Sequence, residues 1–83
     1  MPAYLYILYS EKLKKFYIGS TPDIDRRIIE HNRGKEKFTK TGVPWKLKYN
    51  EVFAELIDTG RRESFIKKQK SKRFIEKLIS SAG

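Results

Sequence analysis

A short segment near the start of the chain, Ala3–Ser10, constrains the fold more than any other part of the sequence. Its letters, AYLYILYS, are apolar or aromatic at nearly every position, so neither alternating side is polar. Residues 4, 6 and 8 fall on one side of a strand, and residues 5, 7 and 9 fall on the other. Aromatic and β-branched content of this kind predicts a strand that is buried on both sides.

A second strand over Lys15–Ser20 follows a polar turn at residues 11–14, and the two strands predict a hairpin. With a four-residue turn, Tyr6 lies opposite Gly19, and Tyr17 is a diagonal neighbour of Tyr6 on the same face. Because Gly19 has no side chain, we expect open space over the sheet beside the two phenols. A slip of one residue would place the phenols on opposite faces.

The rest of the chain predicts helices and one more strand. Thr21-Pro22 predicts a helix start, with threonine as N-cap and proline at the first helical position, and the helix runs to about Arg33 and is ended by Gly34. A polar loop over 35–44, a strand over 45–53, a helix from 55–58 to about 71 and a short amphipathic helix over 74–79 follow. The predicted fold class is α/β (α+β): a small three-stranded antiparallel sheet flanked by helices, in the order β-β-α-β-α-α, as one domain over residues 1–83.

The charge of the chain predicts a polyanionic partner. Lysine and arginine number 19 against 10 acidic residues, for a net charge of +9, and eight of these bases lie between Arg61 and Lys77. We expect the partner to be DNA, with RNA as an alternative, although a solvated lysine-rich surface would have the same composition. No stretch is long and apolar enough to span a membrane, and the basic segment has no broad apolar face, so we expect a cytoplasmic protein.

The predicted phosphate contacts come from bases in the polar loop and in the last two helices. They are Lys35, Lys37, Lys40, Arg62, Lys67, Lys68, Lys70, Lys72 and Arg73.

The sequence offers few groups for catalysis. With no cysteine and one histidine, the chain cannot assemble a thiolate or multi-histidine zinc site, and no serine has a histidine at a telling spacing. There is no glycine-rich phosphate loop. The remaining candidates are two phenols on the hairpin, an arginine and a histidine four residues apart on the first helix, and a glutamate on a later helix: Tyr6, Tyr17, Arg27, His31 and Glu63.

These candidates occur in a recognisable order: Tyr4-Leu5-Tyr6, then Tyr17-Ile18-Gly19, then the run from Asp23 to Asn32, then Arg62-Glu63. The order resembles the GIY-YIG nuclease superfamily over nearly the whole chain, and most of all its small single-domain bacterial members, which are similar to the N-terminal nuclease domain of the excinuclease C subunit. Tyr4 replaces the glycine of the first motif. The polar residue, often asparagine, that some restriction-type members carry after the glutamate has no counterpart.

The resemblance implies a role for each candidate. Tyr6 would act as base or positioner of the attacking water, and Tyr17 would orient water or phosphate. Arg27 would stabilise the charged phosphorane, His31 would lie near the nucleophile, and Glu63 would bind a divalent metal. The metal would be Mg²⁺ or Mn²⁺. It would bind weakly without DNA, because a single carboxylate supplies few of the ligands that such an ion needs. We expect Glu63 to face the same side of the sheet as the two phenols, because the nuclease function depends on the guanidinium, the carboxylate and the phenols surrounding one phosphorus atom.

Two functions from different classes follow from this resemblance. The first is a metal-dependent DNA endonuclease or nickase that acts in DNA repair or on branched DNA. The second is a catalytically inactive nucleic-acid-binding module with the same fold. Each candidate residue also has a structural alternative; Glu63, for example, could simply pair with Lys67 at i,i+4. We expect no separate targeting domain in so short a chain, so specificity would come from DNA structure or from a partner protein.

Overall fold

The computed structural model describes residues 2–82. In this range the chain forms three strands and four helices: β1 (Ala3–Ser10), β2 (Lys15–Thr21), α1 (Ile24–Asn32), α2 (Lys37–Lys40), β3 (Trp45–Phe53), α3 (Leu56–Lys68) and α4 (Lys72–Ser81). The predicted fold class is confirmed. The one-turn helix α2 is an addition, and it lies in the segment that was predicted as a loop. Met1 and Gly83 lie outside the described residues, and the single domain over 1–83 stays a prediction.

Strand β1 lies in the middle of the sheet, whose order is β2-β1-β3. Both neighbours pair with it in antiparallel fashion, and Tyr6 lies opposite Gly19, as the hairpin length predicted. A central position explains the apolar sequence of β1, because helices cover both of its faces. The predicted register therefore places Tyr6 and Tyr17 on the same face.

The two faces of the sheet have separate cores. On one face, Leu5, Ile7 and Ile18 pack against Ile66 of α3, and the apolar side of α4 adds to this cluster. On the other face, a second cluster forms around Tyr6, Leu8 and Trp45, with Tyr17 and the apolar residues of α1 packed against it: Ile24 and Ile28. Burying these apolar side chains contributes roughly 1.5–3 kcal/mol for each large residue, and this is the main force that holds the layers together.

The start of α1 differs from the prediction. The helix begins at Ile24, and the carboxylate of Asp23 accepts a hydrogen bond from the backbone N–H of Arg26 at 3.1 Å as the N-cap. Thr21 was predicted as the cap, but it is the last residue of β2 and pairs with Tyr4. Its hydroxyl instead accepts from the N–H of Asp23 in the turn between strand and helix. Sheet pairing thus takes precedence over the local threonine-proline signal.

The junction of α3 and α4 is sharper than predicted. Helix α3 begins inside the predicted interval but ends at Lys68, before Ser71. Lys70 has a left-handed backbone with φ of 47°, which stops the helix, and Ser71 then caps α4 by accepting from the N–H of Phe74. The predicted amphipathic helix is present as α4 and packs on the sheet. No helix within residues 2–82 is long and apolar enough to cross a membrane.

Candidate active site and nucleic-acid interface

The centre of the candidate site is a buried pair formed by Tyr6 and His31. The Tyr6 hydroxyl lies 2.8 Å from Nε2 of His31, and the two residues are 1% and 0% exposed. The other ring nitrogen, Nδ1, lies 3.0 Å from the hydroxyl of Thr39, which in turn donates to the carbonyl of Glu36. Since Thr39 donates its only proton to that carbonyl, it accepts from Nδ1–H. Nε2 is then unprotonated and accepts the proton of Tyr6.

Burial keeps both members of this pair neutral. It lowers the pKa of His31 to about 4, and the neighbouring charge of Arg27 lowers it further. Burial also raises the pKa of Tyr6 to about 12, and the nearby guanidinium of Arg27 only partly opposes that rise. A phenol with this pKa is a poor base at neutral pH. Tyr6 is therefore protonated at neutral pH in this structure.

The expected open space above Gly19 does not exist. A Cβ atom at Gly19 would lie 2.5 Å from the Tyr6 hydroxyl oxygen and 2.6 Å from the adjacent ring carbon. The ring of Tyr6 itself therefore fills the space that the glycine leaves. The expectation was wrong because it considered only the side chain that glycine lacks and not the neighbouring ring, which packs over the bare backbone.

Tyr17 connects the buried pair to solvent. Its half-buried ring has its centre 4.9 Å from that of His31 and 6.3 Å from that of Tyr6. Its hydroxyl donates a long hydrogen bond of 3.4 Å to the carboxylate of Glu36. The diagonal contact that the hairpin register predicted is thus present, and the hydroxyl of Tyr17 is the phenol that faces outward.

Arg27 lies at the mouth of this cluster, and two carboxylates hold it. Its side chain is 26% exposed, it donates to Glu30 at 3.1 Å, and it forms an ion pair with Glu36. The carboxylate of Glu36 also accepts from Tyr17 and lies 4.0 Å from Nδ1 of the neutral His31. The guanidinium that would bind phosphate is therefore occupied by acidic side chains of the same chain.

Glu36 and Thr39 belong to this cluster and were not predicted from the sequence. Both lie in the segment between α1 and β3, which was predicted as a polar loop. Glu36 is an acid between Lys35 and Lys37, and an isolated acid in a basic run is a signal that could have drawn attention to it. Thr39 has no such signal, because its role depends on a contact with His31 that only the folded chain creates.

Asn32 fixes the two ends of that segment together. Its amide oxygen accepts from the backbone N–H of Trp45 at 2.6 Å, and its amide nitrogen donates to the carbonyl of the same residue at 3.2 Å. The indole N–H of Trp45 then donates to the carbonyl of Thr39. The end of α1, helix α2 and the start of β3 thus form one hydrogen-bonded unit around His31.

Glu63 does not share the face of the phenols, contrary to expectation. It lies on α3, which packs on the opposite face, and its carboxylate accepts from the hydroxyl of Ser20 at 2.9 Å and from Lys67 at 2.5 Å. Ser20 follows Gly19 in β2 and points to the other side. Tyr6 packs on Gly19 and Glu63 bonds to Ser20, so the two side chains lie on opposite sides of the edge strand β2. The charge of Glu63 is the smallest of the causes that act on the raised pKa of Tyr6.

No preformed metal cage is present in the part of the chain that the structure describes, since no three histidine, aspartate or glutamate side chains converge. The half-buried carboxylate of Glu63, beside the hydroxyl of Ser20, offers two oxygen atoms to a cation. Such a donor set fits Mg²⁺, which prefers oxygen and keeps several of its waters, and it does not fit a tightly bound resident ion.

The predicted phosphate-binding bases fall into two groups. Lys35, Lys37 and Lys40 are exposed around α2, on the side of Arg27. The others lie on α3, at its junction with α4 and on α4, and most of them are exposed as well: Arg62, Lys67, Lys68, Lys70, Lys72 and Arg73. Arg62 is held by both oxygens of Glu51, at 3.0 and 3.1 Å, and lies over the ring of Phe65. In this structure it acts as part of the packing between α3 and β3.

Comparison with known proteins identifies relatives over most of the chain. The family described as the GIY-YIG catalytic domain matches residues 2–77. The UPF0213 protein of Streptococcus agalactiae is 37% identical over 70 residues, which are 83% of this chain and 78% of that protein. A UPF0213 protein of Staphylococcus haemolyticus is 42% identical over 65 residues, 77% of this chain and 78% of its own length. The solution structure of the UPF0213 protein from Bacillus halodurans is 36% identical, with a TM-score of 0.62, and the match covers 100% of this chain and 87% of that one.

Proposed function

The chain belongs to the GIY-YIG family of nucleases, and from this premise we propose that it is a divalent-metal-dependent DNA endonuclease or nickase. The observation that carries the proposal is the cluster on one face of the sheet. A guanidinium and a phenol, Arg27 and Tyr17, lie at its mouth, and the neutral pair of Tyr6 and His31 lies beneath them. Phosphodiester hydrolysis needs fixed positive charge and hydrogen-bond donors around one phosphorus atom, and this cluster supplies both.

Each side chain has a role that follows from its position. Arg27 binds the non-bridging oxygens of the phosphate with a planar, permanently charged fork, once Glu36 releases it. The hydroxyl of Tyr17 donates to the phosphate or to the attacking water. Tyr6 orients the same water, and the neutral imidazole of His31 fixes the direction of the Tyr6 proton. The burial of this pair keeps its geometry constant while substrate binds at the mouth.

Glu63 would hold the metal, Mg²⁺ or Mn²⁺, at the edge of β2. When bound there, the ion would supply Lewis-acid stabilisation of charge on the phosphate and leaving oxygens. Glu63 is engaged by Lys67 and Ser20, so metal affinity without DNA should be weak. Phosphate oxygens of the substrate would complete the ligand set.

The basic surface also indicates the substrate and the setting of the proposed activity. The substrate is DNA, with RNA as the alternative, because the basic side chains around α2 and along α3 and α4 provide affinity for phosphate without reading bases. DNA repair and the processing of branched DNA in the cytoplasm are the settings that fit such a surface. A partner protein could then supply the targeting.

The test compares cleavage with binding. Supercoiled plasmid and branched DNA are incubated with Mg²⁺ or Mn²⁺ and with the wild type, Arg27→Gln, Glu63→Gln or Arg26→Gln. Arg26 is the matched control, since it is next in sequence, 76% exposed and turned to solvent. We expect Arg27→Gln and Glu63→Gln to lower the cleavage rate about 100- to 1,000-fold. Binding of DNA to these variants should persist, and Arg26→Gln should cleave like the wild type.

The alternative is a nucleic-acid-binding module without catalysis. One observation favours it: Arg27 is occupied by Glu30 and Glu36, and Glu63 is occupied by Lys67. A wild-type protein that binds DNA with a steep salt dependence, yet never cuts it with either metal, would establish this alternative. A protein that shows no salt-dependent binding would contradict both functions.

A further inference from the structure

A groove lies on the side of the sheet that faces away from the Tyr6 cluster. It runs between β2 and the junction of α3 and α4, and its volume is about 630 Å³. Its floor is apolar: Phe16 of β2 and Ile75 of α4 are half-buried and accessible from the groove, and the buried side chains of Ile18 and Ile66 lie beneath them. A volume of this size is in the range of sites that bind small molecules or single groups of a larger ligand.

Five lysines form the rim of this groove, from Lys14 and Lys15 on the hairpin, through Lys67 and Lys70, to Lys72 at the start of α4. Within residues 2–82 no aspartate or glutamate lines the groove itself; Glu63 pairs with Lys67 beside it, and the other four lysines leave the local charge positive. Lysines that surround an apolar surface at this density attract a ligand that carries several negative charges. The rim alone would therefore bind a chain of phosphates.

The apolar floor is complementary to an apolar group of the ligand and not to a phosphate. Phosphates are strongly hydrated and gain nothing from contact with the isoleucines or with the ring of Phe16. A nucleobase gains from both, because it is flat and apolar on its faces and stacks on aromatic rings. In a duplex these faces are already stacked on neighbouring bases. An apolar floor inside a phosphate-binding rim thus fits a strand whose bases are free.

The groove is continuous with the carboxylate that the proposed function assigns to the metal. Lys67 lines the groove and bonds to Glu63 at 2.5 Å, and Glu63 bonds to Ser20 of β2. A strand whose reacting phosphate lies at Arg27 would pass the edge strand β2 at Ser20 and Glu63, and its next nucleotides would lie beside Lys67 on the other face. The path of the strand from Glu63 into the groove rests on the proposed function. Binding of a strand in the groove does not, because it needs neither metal nor cleavage.

We propose that this groove binds an unpaired segment of a nucleic-acid strand, with a base on the floor around Phe16 and phosphates on the lysine rim. The site deepens the proposed function by naming its substrate class, a nucleic acid with unpaired nucleotides next to the reacting phosphate. A flap, a gap or the single strand of a branched junction has this feature, and an intact duplex does not.

The first test uses the wild type alone, in EDTA, so that cleavage plays no part. Fluorescence anisotropy measures the binding of a short labelled oligothymidylate and of an abasic oligonucleotide of the same length. Both have the same phosphates, and only the first has bases. We expect the base-bearing strand to bind at least about 5-fold more tightly, which is the lower end of the effect of stacking one base. Equal binding would overturn the proposal.

The second test locates the site with matched variants. Lys15→Gln combined with Lys72→Gln should weaken binding of both oligonucleotides and reduce the slope of log K against log salt by about 1.4. Lys46→Gln combined with Lys77→Gln, which changes the same charge outside the groove, should leave this slope closer to the wild type. Phe16→Leu should remove the preference for the base-bearing strand while the abasic strand binds as before. A cooperative unfolding transition like that of the wild type, followed by circular dichroism, shows that the variant is folded.

The outcomes separate this proposal from the proposed function. If the wild type shows the base preference and the groove variants lose it, but nothing is ever cleaved, the groove is confirmed and the nuclease is not. If the protein cleaves DNA while the groove variants bind like the wild type, the nuclease is confirmed and the groove proposal is wrong. If the groove variants lose binding of an acidic amphipathic peptide but bind both oligonucleotides normally, the groove is a protein-docking surface and the proposal is overturned.

Discussion

The two faces of the central strand β1 differ in what they bury. One face buries apolar side chains, Leu5 and Ile7, against Ile66 of α3. The other buries Tyr6 and Leu8 together with the polar side chains that surround His31. The first face needs only complementary shape, whereas the second also needs a hydrogen-bond partner for every polar atom. Both layers contribute apolar packing, but the candidate chemical groups lie in the second one.

The polar layer tolerates burial because its hydrogen bonds are complete. Among the described residues, no buried side-chain nitrogen or oxygen lacks a partner. The chain from Tyr6 through His31 and Thr39 to the carbonyl of Glu36 accounts for the most deeply buried of these groups. A network of this kind specifies one geometry but contributes less net stability than apolar packing of the same volume.

The largest expected effect is on the apolar face. Ile66→Ala removes a side chain that is 1% exposed and leaves a cavity between α3 and the sheet. We expect the free energy of unfolding to fall by about 2–5 kcal/mol, as measured by urea denaturation. Ile57→Ala on the same helix is the control, because Ile57 is 64% exposed and should change stability little. Equal losses in both variants would show that Ile66 is not a core residue.

The next effect distinguishes the polar face by its response to pH. The pKa of His31 is about 4 in the folded chain and 6.5 in the unfolded one, so the unfolded chain binds more protons between these values. The free energy of unfolding is therefore unaffected by the titration of His31 above pH 6.5. It falls as the pH is lowered toward about 4, by at most about 3 kcal/mol. Denaturation midpoints across this range measure the loss. His31→Gln should show a shallower slope there, and an unchanged slope would contradict the assignment.

A smaller effect tests the close approach of β2 to Tyr6. Gly19→Ala places a methyl group against the phenol, and we expect a loss of about 1–3 kcal/mol from overpacking. Gly60→Ala is the opposite case, because no atom lies within 4 Å of the added carbon and Gly60 is inside α3. That variant should gain about 0.5–1 kcal/mol from helix propensity. If the two variants change stability in the same direction, the packing of Tyr6 over Gly19 is wrong.

The smallest effect concerns the acids that hold Arg27. Glu36→Gln removes one carboxylate from the guanidinium and should raise DNA affinity by about 2- to 5-fold, since exposed ion pairs are worth up to about 1 kcal/mol. Glu55→Gln makes the same change of charge at the exposed N-cap of α3 and serves as control. Anisotropy with labelled DNA measures both. A weaker affinity for Glu36→Gln would mean that Glu36 supports the site and does not compete with phosphate.

The sequence was sufficient for features that depend on local pattern. The alternation in β1 and the four-residue turn predicted the pairing of Tyr6 with Gly19, and the spacing of Arg27 and His31 predicted that both lie on the sheet side of α1. The face occupied by Glu63 could not be predicted in this way. A helical wheel shows which side of α3 is apolar, but it does not show which face of the sheet the crossover from β3 brings that helix to.

The pairing of Asn32 with Trp45 has a consequence for how proteins of this shape can diversify. Two hydrogen bonds between Asn32 and Trp45 hold the ends of the segment 33–44 together, so this segment is a loop with closed ends. Lengthening such a loop costs little conformational entropy, because the cost grows only with the logarithm of its length. New side chains could thus be introduced above Arg27, and the range of accepted substrates altered, while the sheet beneath retains its architecture.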